Sequence, residues 1–411
     1  MSKRKVLIIG GGASGMLAAI IAKRQGAEVV ILERNPRVGK KILATGNGRC
    51  NFTNINAGVD HYYGNNPKFI DGALSWLSVR QTIGFFEELG IAHKVEDAGK
   101  VFPMSDQASS VLDVLLHELG RTGIEVICNA YVKRMIKRGT VFSLELEDGS
   151  SIAGDRIIIA TGGKAMPSSG SDGNGFQLVG EMGHSVVPIF PSLVQIMLEG
   201  NFFKQIKGVK LIGTAKLLKD GKLLTQDRGD ILFANYGVSG PPILQISRRA
   251  GELLQKGETA VLSISILDKM SEDQIKSSLA KRFGRDNGKS VEASMVGLIN
   301  KRLIPVILRE AKIENPRDPA RNLTGKQIDT IAGILKDWRL KIRGTKGWQS
   351  AQATAGGIDT NEVDPYTMES KLVEGLFFAG EVLDIDGKCG GFNLQWAWSS
   401  GYTAGYNASL P

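Results

Sequence analysis

Lys5-Val6-Leu7-Ile8-Ile9-Gly10-Gly11-Gly12-Ala13-Ser14-Gly15, answered further on by Glu33, is the stretch whose reading decides the fold. An apolar run stops at a Gly-x-Gly-x-x-Gly turn. A helix of small residues follows, and a second apolar run ends in an acid. Gly10 allows the tight turn, Gly12 lets the backbone approach a pyrophosphate, and Gly15 lets helix and strand pack closely. The unpaired N–H groups at the helix start, over Ala13 and Ser14, favour negative phosphates. Glu33 can accept from both hydroxyls of a ribose, and its charge disfavours a 2′-phosphate there. The pattern predicts a β-α-β dinucleotide site made from Gly10, Gly12, Ala13, Ser14, Gly15 and Glu33, with Arg34 beside the acid.

The rest of the chain is ordinary for a globular protein: 411 residues, 42% hydrophobic and 23% charged. Two or three domains are expected at this length. The first strand begins at Lys5, which leaves no room for a signal peptide, and no apolar run is long enough for a bilayer. Cys50, Cys128 and Cys389 form no metal-binding spacing, and His61, His93, His117 and His184 are scattered. A cytoplasmic protein with reduced thiols, no metal site and no membrane span is expected. The formal net charge of +9 is uneven. Residues 192–350 carry 28 Lys and Arg against 16 Asp and Glu, so +12, and the remainder sums to −3. Such a region is either a solvated basic surface or an attractor of an anion.

Residues 1 to about 190 alternate strand and helix. Strands are expected at Gly123–Cys128, Tyr131–Lys137, Thr140–Glu147 and Ile152–Ala160. The last ends in Thr161-Gly162-Gly163, which again brings backbone close to a ligand at a sheet edge. From Ser192 the style changes. Strand-like segments lie near Val194–Glu199, Val209–Lys219 and Ala260–Leu267. Two helices then start at capping boxes, Ser271-x-x-Gln274 and Thr324-x-x-Gln327. The second carries Ile328, Ile331, Leu335 and Trp338 along one face. After Trp348 the glycine-rich style returns, with Gly380-Glu381 ending a strand and Gly390-Gly391-Phe392-Asn393 opening a last helix.

These readings predict an α/β fold in which a discontinuous nucleotide domain, 1–191 and 350–411, carries an inserted domain, 192–349. The insert is expected to hold a β part at about 192–268 and a helical part at about 269–338. A long ligand would then lie across the nucleotide domain. Its adenosine would sit at Glu33, its pyrophosphate at Gly12 to Gly15, its ribityl chain at Glu381 and its ring at the final helix. FAD has that shape. A helix N-terminus at Gly391-Phe392-Asn393 would stabilise negative charge on a reduced ring.

A third glycine-rich segment, Gly39-Lys40-Lys41 through Thr45-Gly46-Asn47-Gly48-Arg49-Cys50-Asn51-Phe52-Thr53-Asn54, resembles a signature of the BaiN-like (YhiN-type) bacterial flavoproteins. The tail from Phe378 to Gly401 resembles the C-terminal block of the same family. The resemblance spans essentially the whole chain. It implies a glutathione-reductase-type, Rossmann-like FAD-binding domain with an inserted β-barrel and helical subdomain. Gly170-Ser171-Asp172-Gly173-Asn174-Gly175 resembles a turn that the family shares with succinate dehydrogenase and fumarate reductase flavoproteins. It further implies that Lys41, Thr45, Gly46, Arg49, Cys50, Asn51, Val132, Thr161, Gly162, Gly163, Gly380, Glu381, Asp386, Gly391, Phe392 and Asn393 join the cofactor set. Three departures stand out. Thr45 replaces the usual serine, Asn235 stands where a histidine is usual, and Cys389 stands where a hydroxyl residue is common. No catalytic acid or base is assignable; Cys389, Cys50 and Asn235 are the candidates.

The implied activity is FAD-dependent oxidoreduction. Hydride transfer through flavin N5 to an activated, enone-like C=C bond is favoured, with NAD(P)H as a transient reductant. The substrate is expected to be a small molecule, an anion among the candidates. Oxidation of a small amine and action on RNA are the alternatives. Dispersed basic residues with few interleaved aromatics argue against a nucleic-acid partner. Oligomeric state is not legible.

Overall fold

A computed structural model describes residues 3–285 and 288–411. The chain divides into two compact units, 1–191 with 351–411, and 192–350.

The first unit is built on five parallel strands. They are β1 (Lys5–Ile9), β2 (Glu28–Glu33), β3 (Glu125–Cys128), β4 (Arg156–Ile159) and β5 (Leu376–Phe378), in the order β5-β4-β1-β2-β3. Val6, Leu7 and Ile8 of β1 and Ile157, Ile158 and Ile159 of β4 are fully buried. Such unbroken apolar runs suit strands covered on both faces. Helix α1 (Ala13–Arg24) joins β1 to β2, and helix α2 (Phe392–Ser409) closes the unit. A Cβ at Gly401 would lie 2.5 Å from the carbonyl oxygen of Ser14, and one at Gly405 would lie 2.3 Å from that of Ala18. The small residues of these two helices thus let their backbones nearly touch, and the N-terminal motif packs on the C-terminal helix.

The predicted strand Ile152–Ala160 is in fact two. Ser151–Gly154 belongs to an antiparallel three-stranded sheet, and Arg156–Ile159 to the parallel one. Asp155 makes the break: its carboxylate accepts from the Lys5 N–H at 2.8 Å, and its own N–H donates to the Lys5 carbonyl at 2.9 Å. The hinge between sheets is therefore tied to the start of β1.

The second unit, taken by itself, holds a closed six-stranded barrel and a helical part. Both capping boxes form, and they start helices Glu272–Phe283 and Gly325–Lys336. Trp338 is not on the second helix, as its spacing suggested. The helix ends at Lys336 and Trp338 opens strand Trp338–Thr345, which pairs with Val261–Ser265 and closes the barrel. The barrel is therefore not confined to 192–268: its last strand follows the helices. An indole on a helical period also satisfies the alternation of a half-buried strand, and here Leu340 and Ile342 continue that alternation inward. Among the described residues no helix is long and apolar enough to cross a membrane.

Candidate functional site

A cleft runs along the carboxyl ends of the parallel strands. Of the predicted cofactor residues, Gly10, Gly12, Ala13, Ser14, Glu33, Arg34, Lys41, Thr45, Val132, Thr161, Gly162, Glu381 and Asn393 line it.

The three fingerprint glycines are needed for three different reasons. Gly10 has φ +106, and a Cβ there would meet the Ala160 carbonyl oxygen at 2.5 Å. A Cβ at Gly15 would fall 1.9 Å from the Gly10 carbonyl oxygen. Gly12 has ordinary extended backbone, φ −80 and ψ −168, and nothing lies within 4 Å of a Cβ built on it. No protein atom demands a glycine at position 12. The space beside it, at the start of α1, is open to a ligand that approaches the backbone closely. With no acid in its first turn, α1 offers unpaired N–H groups and the positive end of its dipole there. A pyrophosphate fits this cradle.

Glu33 ends β2 and is only 7% exposed. One carboxylate oxygen accepts from the Gly11 N–H at 2.9 Å, and the other accepts from the backbone and side-chain N–H groups of Asn35 at 2.8 and 2.7 Å. Its orientation is thus fixed by the protein, and the oxygen that accepts from Gly11 retains a lone pair for a ribose hydroxyl. Arg34 pairs with Asp172 and lies over the Tyr131 ring, 4.8 Å from its centroid.

At the other end, Glu381 collects the Thr354 N–H at 2.6 Å, the Lys41 ammonium at 2.7 Å and, more weakly, the Gly163 N–H at 3.4 Å. Beyond it α2 begins. Gly391 caps it with φ +97, and a Cβ there would lie 2.4 Å from the Thr53 carbonyl oxygen. The first helical bond runs from the Gln395 N–H to the Gly391 carbonyl, so the preceding N–H groups lack helical partners. Asn393 and Leu394, in this first turn, face the cleft. A flat ring with an edge that gains negative charge suits such a helix start. Both ends of the cleft therefore fit FAD.

Several predicted cofactor residues lie outside the lining. Arg49 is the clearest case. Its guanidinium binds Glu96 and Asp106, each at 2.5 Å, and stacks over Phe102 at 4.1 Å. Its charge is already answered by carboxylates, which hold it well above the ordinary guanidinium range. The Asn51 side chain accepts from the Val101 N–H at 3.2 Å, and Gly46 packs against the Asn51 backbone. Cys50 is completely buried, and burial pushes its thiol up to about 12. Gly15 and Gly163 are packing glycines, and a Cβ at Gly163 would strike the Thr354 hydroxyl. Gly380 donates to Ser400 and accepts from the Trp396 indole. Asp386 is buried in a short pairing with Tyr63. Phe392 stacks on His61 with centroids 4.6 Å apart, and the wall there is made by Asn393, Leu394 and Ala397 instead. Cys389 is half-buried just before Gly391 and does not line the cleft. Asn235 is exposed in the turn between barrel strands Lys222–Ala234 and Gly237–Ser239, in the other unit.

Other lining residues went unassigned from sequence. Tyr131 and Gln352 carry no motif of their own, while Gly11 and Leu394 sit inside quoted motifs without a role assigned to them. The Gly170–Gly175 turn, noted only for its resemblance, supplies Gly170, Ser171, Asp172 and Asn174.

The model of the HI0933-like protein Rossmann domain family matches residues 4–407. A 3-dehydro-bile acid delta(4,6)-reductase of Clostridium scindens is 38% identical over 98% of this chain and 99% of its own. A ribosomal RNA dihydrouridine synthase of Escherichia coli is 31% identical over 98% of this chain and 97% of its own. Among solved structures, 3-ketosteroid delta1-dehydrogenase from Sterolibacterium denitrificans superposes with a TM-score of 0.53 over the full length of both chains at 12% identity, which is a likeness of fold. The chain is an oxidoreductase on a Rossmann-like FAD-binding fold, and it belongs to the HI0933-like family.

Proposed function

We propose that this chain holds FAD in the cleft and uses it to saturate a C=C bond conjugated to a carbonyl, with NAD(P)H as the reductant. The observation that carries this reading is the full-length similarity to a reductase whose name specifies 4,6 double bonds beside a 3-keto group. The dihydrouridine synthases point to the same bond type. Dihydrouridine is uridine saturated at a double bond conjugated to the C4 carbonyl. FAD, when bound, supplies the two-electron carrier that accepts hydride from one partner and delivers it to another. The chain supplies position. Gly12 and the start of α1 hold the pyrophosphate, and Glu33 holds the adenosine ribose. Lys41 and Glu381 set the middle of the cofactor. Asn393 and Leu394, in the first turn of α2, would bring the positive end of the helix dipole toward the ring.

Small enones are the first substrate class. A second reading, uridine within RNA, rests on two specific observations: full-length relatives named for ribosomal RNA, and the +12 charge of residues 192–350. The deciding experiment mixes the anaerobic yellow holoprotein with NADH or NADPH and follows flavin bleaching. Reoxidation is then tested against enones, unmodified ribosomal RNA and oxygen. Rapid bleaching followed by reoxidation with an enone or RNA is expected. Flavin that stays oxidised with both nicotinamides, or that is reduced by amines and reoxidised only by oxygen, would sink the reductase reading.

A further inference from the structure

We propose that the surface of unit 192–350 carrying Lys204, Lys207, Lys301, Arg302 and Arg309 binds the phosphate backbone of structured RNA. This rests on the second substrate reading and gives it an address. The short helix Phe203–Ile206 and the helix Ile304–Glu310 meet here through Gln205. Arg302 donates from Nε and Nη2 to the Gln205 carbonyl at 3.1 and 2.7 Å. Arg309 donates from Nη2 to the Gln205 side-chain oxygen at 3.1 Å. Both guanidinium groups are thus anchored by neutral acceptors, and among the described residues neither pairs with a carboxylate. Contrast Arg49, whose charge is cancelled by Glu96 and Asp106. The Arg302 backbone is fixed as well, since its N–H donates to the Asn300 side chain at 3.0 Å. All five cationic residues are exposed.

An arginine held in place loses little entropy on binding, and its remaining N–H groups match the oxygens of a phosphate. Lys204 and Lys207 lie either side of Gln205 in sequence, Lys301 precedes Arg302, and all three add exposed charge. None of the large exposed apolar side chains of the chain falls within 201–210 or 300–312. A lipid-inserting surface or a protein-binding hot spot would need such anchors. Without exposed aromatics the surface cannot stack bases, so it contributes affinity and position rather than sequence choice.

The test uses the full-length holoprotein, ribosomal RNA transcribed in vitro and therefore unmodified, and vesicles of anionic phospholipid as a rival probe. Two variants are compared with the parent, Arg302→Gln/Arg309→Gln and Lys204→Gln/Lys207→Gln. The lysine pair leaves the Gln205 contacts intact and guards against misfolding. Each variant is expected to weaken RNA binding about tenfold and to lower the slope of log affinity against log salt by roughly 1.5, two phosphate contacts' worth. NAD(P)H-driven flavin bleaching should be unchanged. Parent-like RNA binding by both variants overturns the proposal while leaving the RNA reading intact. A parent protein that binds vesicles but not RNA overturns both.

Discussion

The ammonium of Lys41 lies 2.7 Å from a carboxylate oxygen of Glu381, although 340 positions separate them in the chain. The same carboxylate receives the Thr354 N–H, so one side chain ties a loop after β2, a strand near the C-terminus and the turn after β4 together.

Glu381→Ala strands the Thr354 N–H and the Lys41 ammonium. A lost charged acceptor costs about 1.5–3 kcal/mol. FAD affinity is expected to fall roughly ten- to a hundredfold, and Glu381→Gln should recover much of it. Fluorescence titration of the apoprotein reads the effect; unchanged affinity in Glu381→Ala would show that the pair does not shape the cofactor site.

The glycine turn separates ligand from packing. Gly12→Ala meets no protein atom and keeps an allowed backbone, so the apoprotein should melt as the parent does while FAD retention collapses. Gly15→Ala drives a methyl into the Gly10 carbonyl and should lower the melting temperature itself. If Gly12→Ala still purifies with a full complement of flavin, the open space beside residue 12 is not the cofactor's.

Cys50 is expected to be chemically silent. Burial holds its thiol near 12, far above any working pH. Iodoacetamide at pH 8 should leave Cys50 unmodified in the folded protein and label it after denaturation, as read by peptide mass spectrometry. Labelling of native Cys50 would reopen its candidacy as a redox group.

His184 sets an acid limit on stability. Its ring is buried between Glu362, at 3.0 Å from Nδ1, and Ser370, at 2.8 Å from Nε2. Burial lowers its pKa from the ordinary 6.5, against the pull of Glu362. The unfolded chain therefore takes up this proton at a higher pH than the folded one. Above 6.5 neither state holds it and stability is unaffected; below 6.5 the unfolded state is favoured, until the lowered folded pKa is passed. Denaturant melts from pH 8 to 5 should show this decline in the parent and a flatter profile in His184→Gln. Parallel profiles would remove His184 as the cause.

What could be read without coordinates was whatever local sterics dictate. The Gly10–Gly15 turn, the apolar strands around it and the two capping boxes are each specified within a dozen residues. Arg49 shows the limit. A cation in a glycine-rich loop suits a phosphate or a carboxylate equally, and Glu96 and Asp106 are 47 and 57 positions away. Trp338 shows another, since its indole satisfies both periods. Tyr131 and Gln352 reach the cleft only because the sheet order brings them there, and no pattern in their own neighbourhoods announces it.

The near-contact of Gly401 and Gly405 with α1 also orders events in time. The nucleotide turn is synthesised before residues 192–350. The residues that finish its cleft, from Gln352 through Glu381 to Ala397, and the helix that covers Ser14 and Ala18, are made only after the whole of 192–350. A nascent chain therefore carries half a cleft throughout synthesis of its insert. The complete cleft can form only once residues 352–397 have been made, after the whole of the insert.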